Sequence, residues 1–457
     1  MSFLLAFRNL LLSAIYISAI ALAAVLLYQT LQQAQQQPKL ASIKELIPTM
    51  TSTVTATASA ADPLTDFPTV VAATPVAGSI NPGPVAPAVS VNPGVPPGPA
   101  PVGVDTDTPL LDEPVIVTQT DQTHPKTGRY VAAWVPPNFG GGARESFEAN
   151  KDVLDEISPF WYTTGDNGSL YGTRDDQLVQ LAREHNILVI PTINNVGNYD
   201  IVVGVLADPQ IRTRHVQNIV DEVLARNYDG IDIDYESLDI SVREDFSAFM
   251  IELSQALHAH SKLLSVAVHA KDRDDGGLGG FQDWAVLGEH VDRFRIMTYD
   301  YHWRGGGPGP VAPLYWVQSV AEYARTQVDP SKIFIGIPFY GYDWPPTGNA
   351  RGLPWGDIED LIDEEDLTVN LMQRNSSGRV DESWFRYPSD EGMREVWFMT
   401  SDGLESKLDL VQRMDLAGVA IWRIGYERPE YWDVIRRKLV QDPVLVQRSI
   451  NPLLPEH

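Results

Sequence analysis

The run DGIDIDYE, Asp229 to Glu236, places four carboxylates in eight residues. On a β-strand successive side chains alternate between faces, so Asp232, Asp234 and Glu236 share one face while Ile231, Ile233 and Tyr235 share the other. Acids about 6–7 Å apart on one face resist being anions together, and one of them keeps its proton to an unusually high pH. A carboxyl that still holds a proton near neutrality is what a general acid needs. Glu236 comes last, at the C-terminal end of the strand, where barrel enzymes keep their chemistry. Two other readings of these acids stay open at this point. They are oxygen ligands for Mg or Ca, although no neighbouring segment offers an oxygen cage, or they are hydrogen-bonded acids of purely structural use.

A strand of this kind needs a frame. Strands are predicted at 129–135, 157–164, 187–193, 228–236, 263–270, 293–300, 332–341 and 419–424. Helical patterns lie between them, notably at 174–185, 212–227, 243–260 and 315–327. Eight strands alternating with helices predict an α/β fold, a (β/α)8 TIM barrel spanning 128–445. Several of the strands are apolar on both faces, as buried parallel strands are. The competing arrangement, an open doubly wound sheet, is disfavoured because no GxGxxG or phosphate-binding loop follows a strand. After strand seven some sixty residues precede the last helix. A structureless loop of that size is improbable in a compact domain. A small α+β insertion is therefore expected at about 343–403, with the acidic run GDIEDLIDEED as a solvated helix within it.

The N-terminal third differs in texture. From Asn9 to Tyr28 the chain is uncharged and mostly Leu, Ile, Ala and Val. That length of helix spans a ~30 Å hydrocarbon core, so residues 1–30 are read as a transmembrane anchor rather than a cleaved signal peptide. Residues 31–127, rich in Pro, Ala and Thr and holding one aromatic, Phe67, read as a disordered linker, and 446–457 as a tail. An anchor with a long spacer suits a cell-membrane protein whose working domain reaches extracytoplasmic material; secretion after signal cleavage is the alternative. The net charge of −26 argues against nucleic acid as a partner. The absence of cysteine excludes disulfides, thiolate metal sites and a cysteine nucleophile. The histidines show no HExxH or paired ligand spacing and are given no catalytic role, and no metal or cofactor is expected.

DGIDIDYE matches the DxxDxDxE signature of glycoside hydrolase family 18, the chitinase-like barrels. IMTYD (296–300) resembles that family's sixth-strand motif and IGIPFYGYDW (335–344) its seventh. MTYDYHWRGGGPGPVAPLYWV (297–317) and FWYTTGDNGSL (160–170) are similar to its spore-germination, cortex-lytic branch, whose members act on peptidoglycan. The resemblance covers about 125–440. It implies a retaining glycosidase in which Glu236 protonates the leaving oxygen. The substrate's own 2-acetamido oxygen attacks to give an oxazolinium ion, an exception to the two-carboxylate scheme. It further implies that Asp234 orients the acetamido N–H, Asp232 holds Asp234, and Tyr299 bonds the acetamido carbonyl. Asp300 would contact the sugar or support Tyr299, and Trp422 would form the sugar floor. By position alone, Tyr299 and Trp422 read first as core aromatics, and the coincidence of motif and strand end moves both to function. Tyr340, in the seventh-strand motif, is a further candidate to touch substrate. Trp303 sits in a glycine-rich loop with no core to fill. Trp134, Trp161 and Tyr162 near the ends of strands one and two, and Asn194 and Asn195 after strand three, are candidates to line the cleft. The expected partner is a β-1,4 N-acetylglucosamine polysaccharide, peptidoglycan ahead of chitin. A non-catalytic glycan-binding barrel and a surface scaffold are the alternatives from other classes.

Overall fold

Eight parallel strands close on themselves. In chain order they begin with β1 (Tyr130–Val135), β2 (Glu156–Thr164), β3 (Thr192–Asn194), β4 (Gly230–Asp234), β5 (Leu263–His269), β6 (Arg293–Met297) and β7 (Ile333–Pro338). The last, Gly418–Trp422, pairs with β7 on one side and β1 on the other, and β1 also pairs with β2, which closes the ring. This is a TIM barrel in a computed structural model that describes residues 128–440, apart from 275, 365–366 and 373. The apolar segment 9–28, the linker and the tail from 446 lie outside the described residues. No helix among the described residues is long and apolar enough to cross a membrane.

Local signals set the helix ends. Asp175 accepts from the backbone N–H groups of Gln177 and Leu178, so that helix starts at Asp176. Asp208 caps the helix Pro209–Arg226 in the same way, with Pro209 in its first turn. The pair starts the helix at Pro209, three residues ahead of the hydrophobic pattern. Alternation along the strands divides the core. Ile231, Ile233 and Tyr235 pack outward against helices, while Ala132, Trp134, Ala267, Phe334 and Ala420 form a separate cluster inside the barrel. Three of those five are alanines, and the space they leave holds charged side chains: Glu156, Arg293 and Arg295 are all buried within the ring.

A second sheet follows β7 in the chain. Its strands are β8 (Gly341–Trp344), β9 (Arg351–Leu353), β10 (Asn370–Leu371), β11 (Glu382–Ser389) and β12 (Gly392–Met399). They pair antiparallel in the order β9-β8-β12-β11-β10. The acidic run does form a helix, Trp355–Glu364. It is not merely solvated: Ile358 is buried, and Leu361 and Ile362 pack with Phe385, Val396 and Phe398 into a small core of this unit.

Candidate active site

Glu236 lies two residues beyond the end of β4 and is placed by its backbone. The Asn195 side chain donates to the Glu236 carbonyl and accepts its N–H, both at 2.9 Å. The next residue, Ser237, has φ +57°, so the chain turns sharply just after the acid. The Ser237 N–H donates to His269 Nε2 at 3.0 Å, and that nitrogen lies 3.8 Å from Glu236 Oε2. Burial pushes the imidazole pKa down to about 4, so His269 faces Glu236 neutral at pH 7. Glu236 is itself pushed up to about 7, first by burial and then by the negative charge of Asp300.

Asp234 is nearly inaccessible, and its pKa is held well above the usual carboxylate range by burial, then by Glu236 and Asp232. Its Oδ1 is buried without a hydrogen-bond partner among the described residues. One pleat deeper, Asp232 is fully satisfied. Oδ2 accepts from Trp134 Nε1 and Thr192 Oγ1, each at 3.0 Å, and Oδ1 accepts from Ser265 Oγ at 2.5 Å. Asp229, at the N-terminal end of the motif, accepts the Val189 N–H at 2.8 Å and ties strands together away from the cavity.

A cavity of about 610 Å³ opens over these acids, lined by Asp234, Glu236, Tyr299, Asp300, Trp303, Tyr340 and Trp422 among others. The structure thus brings those seven candidates together, with Asp232 directly beneath. The Tyr299 phenol is kept protonated by burial and by the surrounding carboxylates, Asp234 foremost, so it has an O–H to donate here. Its ring needs Gly336: a Cβ there would stand 2.9 Å from the Tyr299 ring and 2.5 Å from the Ile296 carbonyl. Asp300 has φ +60° and accepts from the hydroxyls of Tyr340 and, at 3.1 Å, Tyr342. Loss of hydration lifts it to about 6 against the effect of those two bonds. Trp422 packs edge-on against Phe160 and Trp134, with ring centroids 4.9 and 6.1 Å away. Trp303 is 42% exposed at the cavity wall.

Three candidates, Trp161, Tyr162 and Asn194, lie elsewhere. The β2 pairing slips between Phe160 and Tyr162. Phe160 then points into the cavity, while Trp161 turns outward to within 6.0 Å of the Tyr228 ring. Tyr162 also faces out, its hydroxyl bonded to Glu222 and Tyr228. Asn194 is spent on strand stitching: it donates to the Tyr162 carbonyl and accepts from Thr163 Oγ1 and the Val196 N–H. The neighbouring Asn195 holds the acid instead. Sequence reasoning also missed His269 and Tyr199, which line the cavity. For His269 a signal existed, because Ser265, Ala267 and His269 alternate on the face that meets Asp232. Among the described residues no cluster of three or more His, Asp or Glu is arranged to hold a metal ion.

Residues 154–427 match glycosyl hydrolases family 18. The chain belongs to that family. It is 31% identical over 281 residues to the putative sporulation-specific glycosylase YdhD of Bacillus subtilis, a match spanning 59% of this chain and 65% of that one. It is 28% identical over 309 residues to the cortical fragment-lytic enzyme of the same organism, over 65% of this chain and 70% of the other. Among solved structures, the C-terminal domain of a putative chitinase from Desulfitobacterium hafniense superposes with a TM-score of 0.62 at 27% identity, covering 68% of this chain and 99% of that one. The family 18 barrel is a glycosidase scaffold, and the sequence resemblance carried by DGIDIDYE, IMTYD and IGIPFYGYDW stands.

The raised Glu236 pKa has a stability consequence. The group titrates at about 7 folded against an ordinary 4.5, so its contribution to stability is complete below pH 4.5 and is lost as the pH rises through 7. Glu236→Gln abolishes that titration. The variant is expected to melt above wild type at pH 8 and to lose that advantage at pH 5, as thermal melts at the two values would register.

Proposed function

We propose that the barrel is a retaining glycosidase that cleaves the β-1,4 bond following an N-acetylated sugar by substrate-assisted catalysis. The observation that carries this reading is the buried Oδ1 of Asp234, unpartnered among the described residues, beside a proton-holding Glu236. An unsatisfied buried acceptor costs about 1–3 kcal/mol, and a substrate acetamido N–H supplies the missing donor. The acetamide so aligned brings its own oxygen to the anomeric carbon. Glu236 gives its proton to the leaving oxygen, Tyr299 donates to the acetamide carbonyl, and the Trp422 face floors the sugar. Once the oxazolinium forms, Glu236 takes a proton from the water that opens it. Neutral His269 adds no positive charge beside Glu236, which leaves the acid protonated near pH 7.

The polymer is read as peptidoglycan. Support comes from the relative named a cortical fragment-lytic enzyme and from the apolar segment and linker of the N-terminal third, which we read as an anchor holding the barrel outside the cell membrane. Mass spectrometry of peptidoglycan and of chitin oligomers after incubation with the full chain tests both bond and polymer. Products ending in reducing N-acetylglucosamine from peptidoglycan are expected. Release from chitin oligomers alone would reassign the polymer, and binding without release would make the barrel a lectin.

Trp303 offers a test of the cavity wall. It is exposed, and its ring lies against Gly305 and Gly306 of its own loop. Trp303→Ala is expected to leave the melting temperature unchanged and to weaken oligosaccharide binding about tenfold by calorimetry.

A further inference from the structure

We propose that Arg295 is a positioning residue for the acids of β4: it holds Asp232 as a carboxylate, so that the proton these acids retain stays on Asp234 and Glu236, the two that face substrate. The proposal rests on the glycosidase reading above but concerns a charge buried below the cavity.

In β6 the segment Arg293-Phe294-Arg295-Ile296 alternates cations with apolar residues, and the cations fall on the lumen side. Arg295 is completely buried. Its Nη2 meets Glu156 Oε2 at 2.9 Å, its Nη1 donates to Ser158 Oγ, and the same Nη1 lies 3.6 Å from Asp232 Oδ1. Arg293, 7% exposed, meets the other oxygen of Glu156 at 2.5 Å. Isolated buried charges cost several kcal/mol each, so the cluster must balance. Arg293 has Asp292 as a further charged neighbour besides Glu156, whereas the second anion beside Arg295 is Asp232.

The hydrogen bonds of Asp232 agree with that count. Each of its oxygens faces a group that can only donate: Trp134 Nε1 on Oδ2 and Arg295 on Oδ1. A carboxylic proton on either oxygen would confront one of those donors. Asp234 has the opposite surroundings, an oxygen without a donor and two carboxylates as its charged neighbours. From the remaining elements packed around Asp232, Thr192 and Ser265 offer hydroxyls and Tyr299 a neutral phenol. Arg295 is therefore the cation that fixes which acid carries the proton, and Glu156 tempers it from behind.

Two readouts on the full chain test this. In protein labelled with carboxyl-¹³C aspartate, the Asp232 resonance, identified by its loss in Asp232→Asn, is expected at the carboxylate position at pH 7 in wild type and in Arg295→Lys. It should move to the carboxylic-acid position in Arg295→Met. In the pH profile of kcat/KM on chitin oligomers, removing the cation in Arg295→Met should shift the limbs upward by about 1–3 pH units. Removing the opposing anion in Glu156→Gln should shift them downward. Packing damage alone lowers stability in both variants and does not move the limbs in opposite directions. An Asp232 resonance at the acid position in wild type at pH 7 overturns the proposal, even if Arg295→Met fails to fold. So does a carboxylate resonance retained in a folded Arg295→Met. The resonance needs no turnover, so a chain that cleaves no glycan would sink the glycosidase reading while the charge state of Asp232 is still decided.

Discussion

Glu236→Gln is expected to lower kcat on N-acetylglucosamine oligomers by about 10²–10⁴-fold, the contribution of a positioned general acid, with KM little changed. The amide has the size of the acid. It keeps the backbone clamp from Asn195, because that clamp holds the Glu236 main chain rather than its side chain. What it loses is the proton. The leaving sugar oxygen is a poor leaving group unless protonated, so the loss should fall on the chemical step. The aromatic cluster of Trp422, Phe160 and Trp134, proposed above as the sugar floor, is untouched by the change. An aryl glycoside whose leaving group departs without protonation should lose much less. Equal turnover of the oligomer by wild type and Glu236→Gln would remove Glu236 from the mechanism. An equal loss on both substrates would move its role from acid to binding. The higher melting temperature expected at pH 8 separates either result from misfolding.

Asp381→Ala is expected to cost about 3–5 kcal/mol of folding free energy, the usual result of stranding one partner of a buried ion pair. The Lys407 ammonium is completely buried and meets Asp381 Oδ1 at 2.6 Å. The other oxygen of Asp381 accepts the N–H of Leu314, the first residue of the helix Leu314–Gln327. Next in the chain, Glu382 accepts the N–H groups of Val311 and Ala312, and burial lifts its pKa to about 7. The two acids at the start of β11 thus hold the end of the loop that carries Trp303. Urea unfolding at pH 7 would measure the loss. Asp381→Asn, which keeps an acceptor for Leu314 but not the charge, should lose less than Asp381→Ala. A cost below about 1 kcal/mol for Asp381→Ala would mean that Lys407 finds another partner, Glu382 being the nearest candidate.

Much of the frame was legible because its determinants are local. The period-two pattern of DGIDIDYE assigns its acids to one face whatever the rest of the chain does. The helix patterns marked the elements between strands, with ends displaced by two or three residues where Asp175 and Asp208 cap them. The same local logic misled at two aromatic and amide pairs. Alternation alone could not tell Trp161 from Phe160, because the slip in the β2 pairing depends on its neighbour β3. Nor could it tell Asn194 from Asn195, because the deciding partner, the Glu236 backbone, is 41 residues away from Asn195.

By itself, then, the sequence determined that three acids alternate onto one face, that the last of them falls at the C-terminal side of the strand, and that alternating strands and helices frame it. Those properties follow from the geometry of a strand and from hydrophobic periodicity, which neighbours in the chain dictate. Only the tertiary structure decided which acid lacks a partner and which is held by a cation. Glu156 meets Arg293 and Arg295 across 137 and 139 residues of chain, inside a ring that does not exist until the last strand pairs with the first. Charge balance in a buried space is a property of that closed ring, and no stretch of sequence contains it.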